Sequence, residues 1–101
     1  MFSGGDYREV ARWLRNFLTS HAKREHPRIE VTFDADGERE GTSYAATLTL
    51  GGGSTPPMEF DFREVADHRG NLAWCSALAE RTRALARARL LGQGLADGQR
   101  R

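Results

Sequence analysis

Few side chains in this chain could ligate a metal or attack a substrate: His21, His26, His68 and Cys75 are the only soft ones. His21 and His26 lie five positions apart and leave a helix on different sides. His68 and Cys75 lie seven apart and share a face only if one helix carries both. Neither spacing is that of a metal motif, and no metal or other cofactor is expected. Cys75 as a nucleophile would need a thiolate, a base and access. It sits between Trp74 and Leu78 on a face expected to be buried, with His68 as the one nearby base. A small buried thiol is the simpler reading. A single cysteine also leaves no internal disulfide and fits a cytoplasmic protein.

Asp34, Asp36, Glu38 and Glu40 alternate in the manner of calcium-loop ligands. With Asp34 in first place, the sixth position is Arg39 where glycine is required, and the twelfth is Ala45 where a bidentate glutamate is required. A solvated turn between strands is expected instead. General acid–base work would require one of these carboxyls to be desolvated, and no apolar run adjoins them. The run Gly51-Gly52-Gly53-Ser54-Thr55 lacks the lysine of a phosphate loop and leads into Pro56-Pro57 and a strand rather than a helix. It reads as a mobile loop. No catalytic constellation emerges, and the chain is expected not to be an enzyme.

The charged residues carry more signal. The formal net charge of +1 hides a partition of +3 over residues 1–28, −7 over 29–67 and +5 over 68–101. Lys23 is the one lysine; every other basic residue is an arginine, whose fork suits phosphate and carboxylate. Arg8, Arg12, Arg15 and Lys23 line one side of the first helical segment, and Arg83 and Arg87 lie on the solvent side of the last. Such stripes are solvated faces or contacts for phosphates or an acidic protein.

The elements that carry these residues follow from periodicity. A first helix runs from about Asp6 to Ala22, with Tyr7, Val10, Ala11, Leu14, Phe17, Leu18 and His21 on one face and Asp6 and Glu9 as its capping pair. Strands follow at 28–34, 42–50 and 58–62, with Ile29, Val31, Phe33, Tyr44, Ala46, Leu48, Leu50, Met58, Phe60 and Phe62 inward. Residues 63–70 are ambiguous between loop and a short helical turn. A last helix starts at Asn71 and runs to Leu91. The fold class is α+β in the order α-β-β-β-α, a three-stranded antiparallel meander with two helices packed on one face. Residues 1–91 form one domain and 92–101 a flexible tail. The expected core gathers Trp13 or Phe17, Phe33, Leu48, Phe60, Trp74 and Leu78. No leader or membrane segment is expected.

This order and the basic helices resemble double-stranded RNA-binding domains over about residues 6–91. The resemblance implies nucleic acid bound against the helices. The lysine-rich start of the family's second helix is missing, and His68-Arg69-Gly70-Asn71 supplies one full positive charge in its place. The preferred expectation is a non-catalytic interaction module that pairs with a second copy or with another protein, and nucleic-acid binding is the alternative. A helix of residues 71–91 would be about 31 Å long, against roughly 17–30 Å for the strands. Leu85, Leu90 and Leu91 would then overhang the sheet and present an apolar strip.

Overall fold

The computed structural model describes residues 6–91, so the expected tail at 92–101 lies outside the described residues. Helix α1 (Tyr7–Glu25) opens on Asp6, whose carboxylate accepts the Glu9 amide at 2.8 Å, and closes at His26 just before Pro27. The helix therefore runs three residues past Ala22, up to the point where proline forbids it. Val10, Leu14, Leu18 and Ala22 recur every fourth residue and are fully buried.

Strand β1 (Glu30–Asp34) leads through a 3-10 turn at Gly37–Arg39 into β2 (Ser43–Leu50), the central strand of the sheet. β1 lies antiparallel on one side of β2. On the other side lie β3 (Gly53–Ser54) and β4 (Met58–Asp61), both antiparallel. The meander thus has four strands rather than three, and the expected mobile loop at Gly51–Gly53 is a tight hairpin. Leu50 pairs with Gly53 across two residues, and Gly51 takes φ 60°, the left-handed region that a two-residue turn of this kind needs at its first central position. Thr55 then locks the hairpin. Its amide donates to the Leu48 carbonyl at 2.9 Å, and its hydroxyl accepts the Leu48 amide at 3.0 Å.

The ambiguous stretch is a helix, α2 (Phe62–His68). Asp61 caps it by accepting the Glu64 amide at 3.0 Å, so Phe62 begins a helix instead of ending a strand. Asn71 caps α3 (Leu72–Ala86) through the Trp74 amide at 2.9 Å. Beyond Ala86 the chain winds as one wider π turn, Arg87–Leu91. The last helical run therefore reaches Leu91, as expected, but its final turn is π rather than α and does not hang free. The Leu90 side chain lies 3.8 Å from where a side chain on Gly53 would begin, so β3 reaches under it. Leu85 and Leu90 both pack against the core, and Leu91 is half-buried. The geometric premise of an overhanging apolar strip at Leu85, Leu90 and Leu91 is not met.

The helices pack on the sheet, with α1 between α3 on one side and β1 on the other. Leu48, Phe60 and Leu78 are buried as expected, but Trp13, Phe17, Phe33 and Trp74 flank the core and are only half-buried. The centre is filled by the Val10–Ala22 line of α1 with Ile29, Tyr44, Val65 and Ala86. Tyr44 is the largest wholly buried side chain; its hydroxyl donates to the Tyr7 carbonyl at 2.8 Å. Burial pushes that hydroxyl's pKa far up, so it remains a donor. No helix among the described residues is long and apolar enough to cross a membrane.

Candidate binding groove

The sheet has one face under the helices and one open face, and its rim is β1. Between α1 and β1 runs a groove of about 430 Å³. Its helical wall is Arg8, Ala11, Arg12, Arg15 and Asn16; its floor is Tyr7, Phe33 and Ala35; its far end is Asp36 and Glu40. The spacing of the three arginines, four and then three residues, is what sets them on one side of α1.

Tyr7 holds the far end in place. Its hydroxyl lies within hydrogen-bonding distance of the carbonyl oxygens of Ala35 (3.0 Å), Arg39 (2.9 Å) and Ser43. One proton serves three acceptors, so the hydroxyl gathers the turn between β1 and β2 onto the start of α1. Its ring stacks on Tyr44 at 4.7 Å and meets Phe62 edge-on at 5.4 Å. Burial, and after it the carboxylates of Glu40 and Asp36, raise the Tyr7 pKa, which keeps the donor protonated.

The arginines differ in what they already hold. Arg8 faces Glu40 at 3.5 Å, an exposed pair of little energetic weight. Arg12 and Arg15 are exposed, and neither has a carboxylate in salt-bridge range among the described residues. Lys23 is not part of the groove: it sits in the last turn of α1 and donates to the Pro27 carbonyl at 2.8 Å. Arg83 and Arg87 are engaged with each other's partner. Both donate to Glu25, at 2.8 and 2.9 Å, and clamp the end of α1 to α3. The Arg83 hydrogen bond is the main reason the Glu25 pKa lies below its usual range. The basic helix faces expected from the sequence thus split in two: Arg8, Arg12 and Arg15 line a groove, and Arg83 and Arg87 are neutralised within the fold.

Two residues of the acidic turn serve the open face of the sheet. Asp34, Ala45 and Glu59 form one cross-strand row over β1, β2 and β4. Arg39 bridges its ends, 3.5 Å from Asp34 and in a forked pair with Glu59 at 2.7 and 3.0 Å. Ala45, between them, is 7% exposed although it belongs to the outer face. Its small side chain leaves room for the guanidinium. Sequence reading missed this clasp, although an arginine five residues after a strand-end aspartate was a usable signal.

A second crevice lies on the opposite rim, between α3 and β4. Trp74, Leu78 and Phe60 line a small cavity of about 160 Å³, and Pro56, Pro57, Met58 and Leu85 a larger one of about 430 Å³, with Arg81 shared. The soft side chains do not converge anywhere. The Cys75 thiol points at the Arg69 carbonyl at 3.4 Å, and burial raises its pKa. His68 stacks on Trp74 and bonds the Glu64 carbonyl. His21 has a buried Nδ1 without a hydrogen-bond partner among the described residues; burial, then Arg24 and Arg83, lower its pKa. No three His, Cys, Asp or Glu side chains among the described residues are grouped to hold a metal ion. Comparison of the chain with models of known families, with curated proteins and with solved structures finds no match.

Proposed function

We propose that this chain is a non-catalytic interaction module whose α1–β1 groove receives an acidic segment of a protein partner. One observation carries the reading. Arg12 and Arg15 stand exposed, without carboxylate partners among the described residues, on the wall of a groove floored by Tyr7 and Phe33. Two forked cations over an aromatic floor suit carboxylates borne on a chain with apolar side chains. Asp36 and Glu40 confine the ligand's negative charge to the Arg12–Arg15 part of the groove, which spaced carboxylates can meet and a continuous run of phosphates cannot. The internal use of Arg83 and Arg87 leaves the RNA reading with fewer free cations.

The test is an NMR titration of the labelled protein with a synthetic peptide of glutamate and leucine, beside a duplex RNA. The expected result is shifts at Arg12, Arg15 and Phe33 with the peptide, weakened about tenfold or more in Arg12→Glu/Arg15→Glu, whose circular dichroism stays unchanged. Tight duplex binding with a log–log salt slope near −3 would instead favour the RNA reading. Absence of shifts in the groove would sink the proposal.

A further inference from the structure

The hydrogen-bond parity of the sheet fixes which amides of β1 face the groove. The Phe62 amide donates to the Thr42 carbonyl, and the Thr55 amide to the Leu48 carbonyl. Even-numbered residues of β2 therefore turn their backbone groups toward β3 and β4, and odd-numbered ones toward β1. The register pairs Glu30 with Thr49, Thr32 with Thr47 and Asp34 with Ala45. Glu30, Thr32 and Asp34 thus spend their N–H and C=O groups on β2. Val31 and Phe33 turn theirs outward, to an edge where no other strand pairs among the described residues. Two donors and two acceptors are left in a row beside the groove.

We propose that the partner of the groove binds as an extended strand added antiparallel to β1, carrying acidic side chains on its α1 side and basic ones on the other. The inference rests on the groove being the binding site. Residues opposite Val31 and Phe33 share their face and look toward Arg12 and Arg15, so acidic side chains fit there. The residue opposite Thr32 shares the outer face with Glu30 and Asp34, both exposed, so a basic side chain fits there. Same-face residues of a strand lie about 6.6–6.8 Å apart; Arg12 and Arg15 rise about 4.5 Å along the helix, and their long side chains cover the difference. A second copy fits less well: in each antiparallel register its β1 would present Ile29, Val31 or Phe33, not carboxylates, on the face toward Arg12 and Arg15. Pairing β1 with itself about Thr32 would set Glu30 against Asp34 of the other copy, and like charges directly opposite are unfavourable.

The experiment uses the whole chain and a six-residue peptide alternating glutamate and lysine. Two N-methylated forms accompany it, one methylated at the glutamate amides and one at the lysine amides, with a block peptide of the same composition. In antiparallel addition the amides of the glutamates face β1. Methylation there abolishes binding, while methylation at the lysines is tolerated. The block peptide binds at least about tenfold more weakly. On binding, the Val31 and Phe33 amides gain protection from hydrogen exchange and the Thr32 amide does not change. Equal binding of all four peptides, or unchanged exchange at Val31 and Phe33, overturns strand addition. If the glutamate–leucine peptide still shifts Arg12 and Arg15 in that case, the groove reading survives alone. If neither peptide shifts them, both fall.

Discussion

The two rims of the sheet are built from the same kind of strand and treated in opposite ways. β4 is preceded by Pro56-Pro57, ends directly in the cap of α2, and has Glu59 held by Arg39. Prolines, brevity and a tied charge are the usual means of blunting an edge. β1 shares the tie to Arg39, through Asp34, but no proline adjoins it and no helix cap ends it. Its outward amides, Val31 and Phe33, lie on an edge where no other strand pairs among the described residues, and Phe33 lines a groove walled by Arg8, Arg12 and Arg15. Its protection is charge alone, with Glu30 and Asp34 on the outer face. A blunted edge refuses every strand, whereas a charge-coded edge refuses only strands of the wrong pattern. That difference is why the functional reading falls on β1, although the crevice beside β4 is more apolar.

The largest effect should come from the strand both rims share. Leu48 is fully buried on β2. Leu48→Ala should cost about 2–5 kcal/mol, a large part of the roughly 5–15 kcal/mol available to a domain. A denaturant midpoint within error of the parent would mean that β2 is not the keystone and that the rims are independent.

Tyr7→Phe comes next and acts on one rim. It removes the hydroxyl that gathers Ala35, Arg39 and Ser43, at a cost of about 1–3 kcal/mol. Thermal melting reads the cost, and chemical shifts of residues 35–43 should move more than those of β4. Equal movement at both rims would erase the asymmetry. This anchor also marks where sequence reading stops. The periodicity of α1 placed Tyr7 on the buried face, but not its hydroxyl, because the three carbonyls come from a turn about thirty residues away. The same limit explains Arg83 and Arg87. Local spacing offers Arg83 the carboxylate of Glu80, three residues before it, yet the fold gives Arg83 to Glu25, an α1 residue 58 positions away, and leaves Glu80 to Arg87 at 3.6 Å.

Elements were more legible than contacts, and their errors have local causes. The strands were read from alternation, which one buried face imposes. The α2 helix is ambiguous in the sequence even though Asp61 and Glu64 repeat the capping spacing of Asp6 and Glu9. A seven-residue helix offers too few turns for its periodicity to show. Size favours Trp13 and Phe17 for the core, but the inward line of α1 is the fourfold repeat Val10, Leu14, Leu18, Ala22, and the two aromatics flank it. The groove itself was half-legible: its arginines formed a stripe in the sequence, but its floor and its open amides depend on which strand lies at the edge.

Hydrogen exchange sharpens the comparison without any mutation. In the free protein the amides of Val31 and Phe33 should exchange faster than that of Thr32 between them, because only Thr32 donates into the ladder. A smooth profile over 31–33 would contradict the parity argument and, with it, strand addition at β1.

The smallest expected effect concerns the clasp that joins the two rims, since Arg39 holds Asp34 of β1 and Glu59 of β4 at once. The hydrogen bond from Arg39 is the main cause that lowers the Glu59 pKa below its ordinary value of 4.5. A carboxylate with a depressed folded pKa contributes stability that is present above the unfolded value and lost as pH falls through the folded one. The melting temperature should therefore decline below about pH 4.5. Glu25 is depressed by Arg83 and titrates in the same window, so the wild-type curve alone cannot assign the loss. His21 is separable: its depressed pKa removes stability as pH falls below about 6.5, a higher window. Arg39→Met isolates the clasp. It should lower the melting temperature near neutral pH and make the decline below pH 4.5 shallower, leaving the decline that sets in below about 6.5 intact. Arg39→Lys should fall between the two, because one ammonium cannot form the fork to Glu59 while reaching Asp34. An Arg39→Met curve parallel to wild type through the acid window would show that Glu59 gains nothing from the clasp, and that the β4 rim is blunted by its prolines and its helix cap alone.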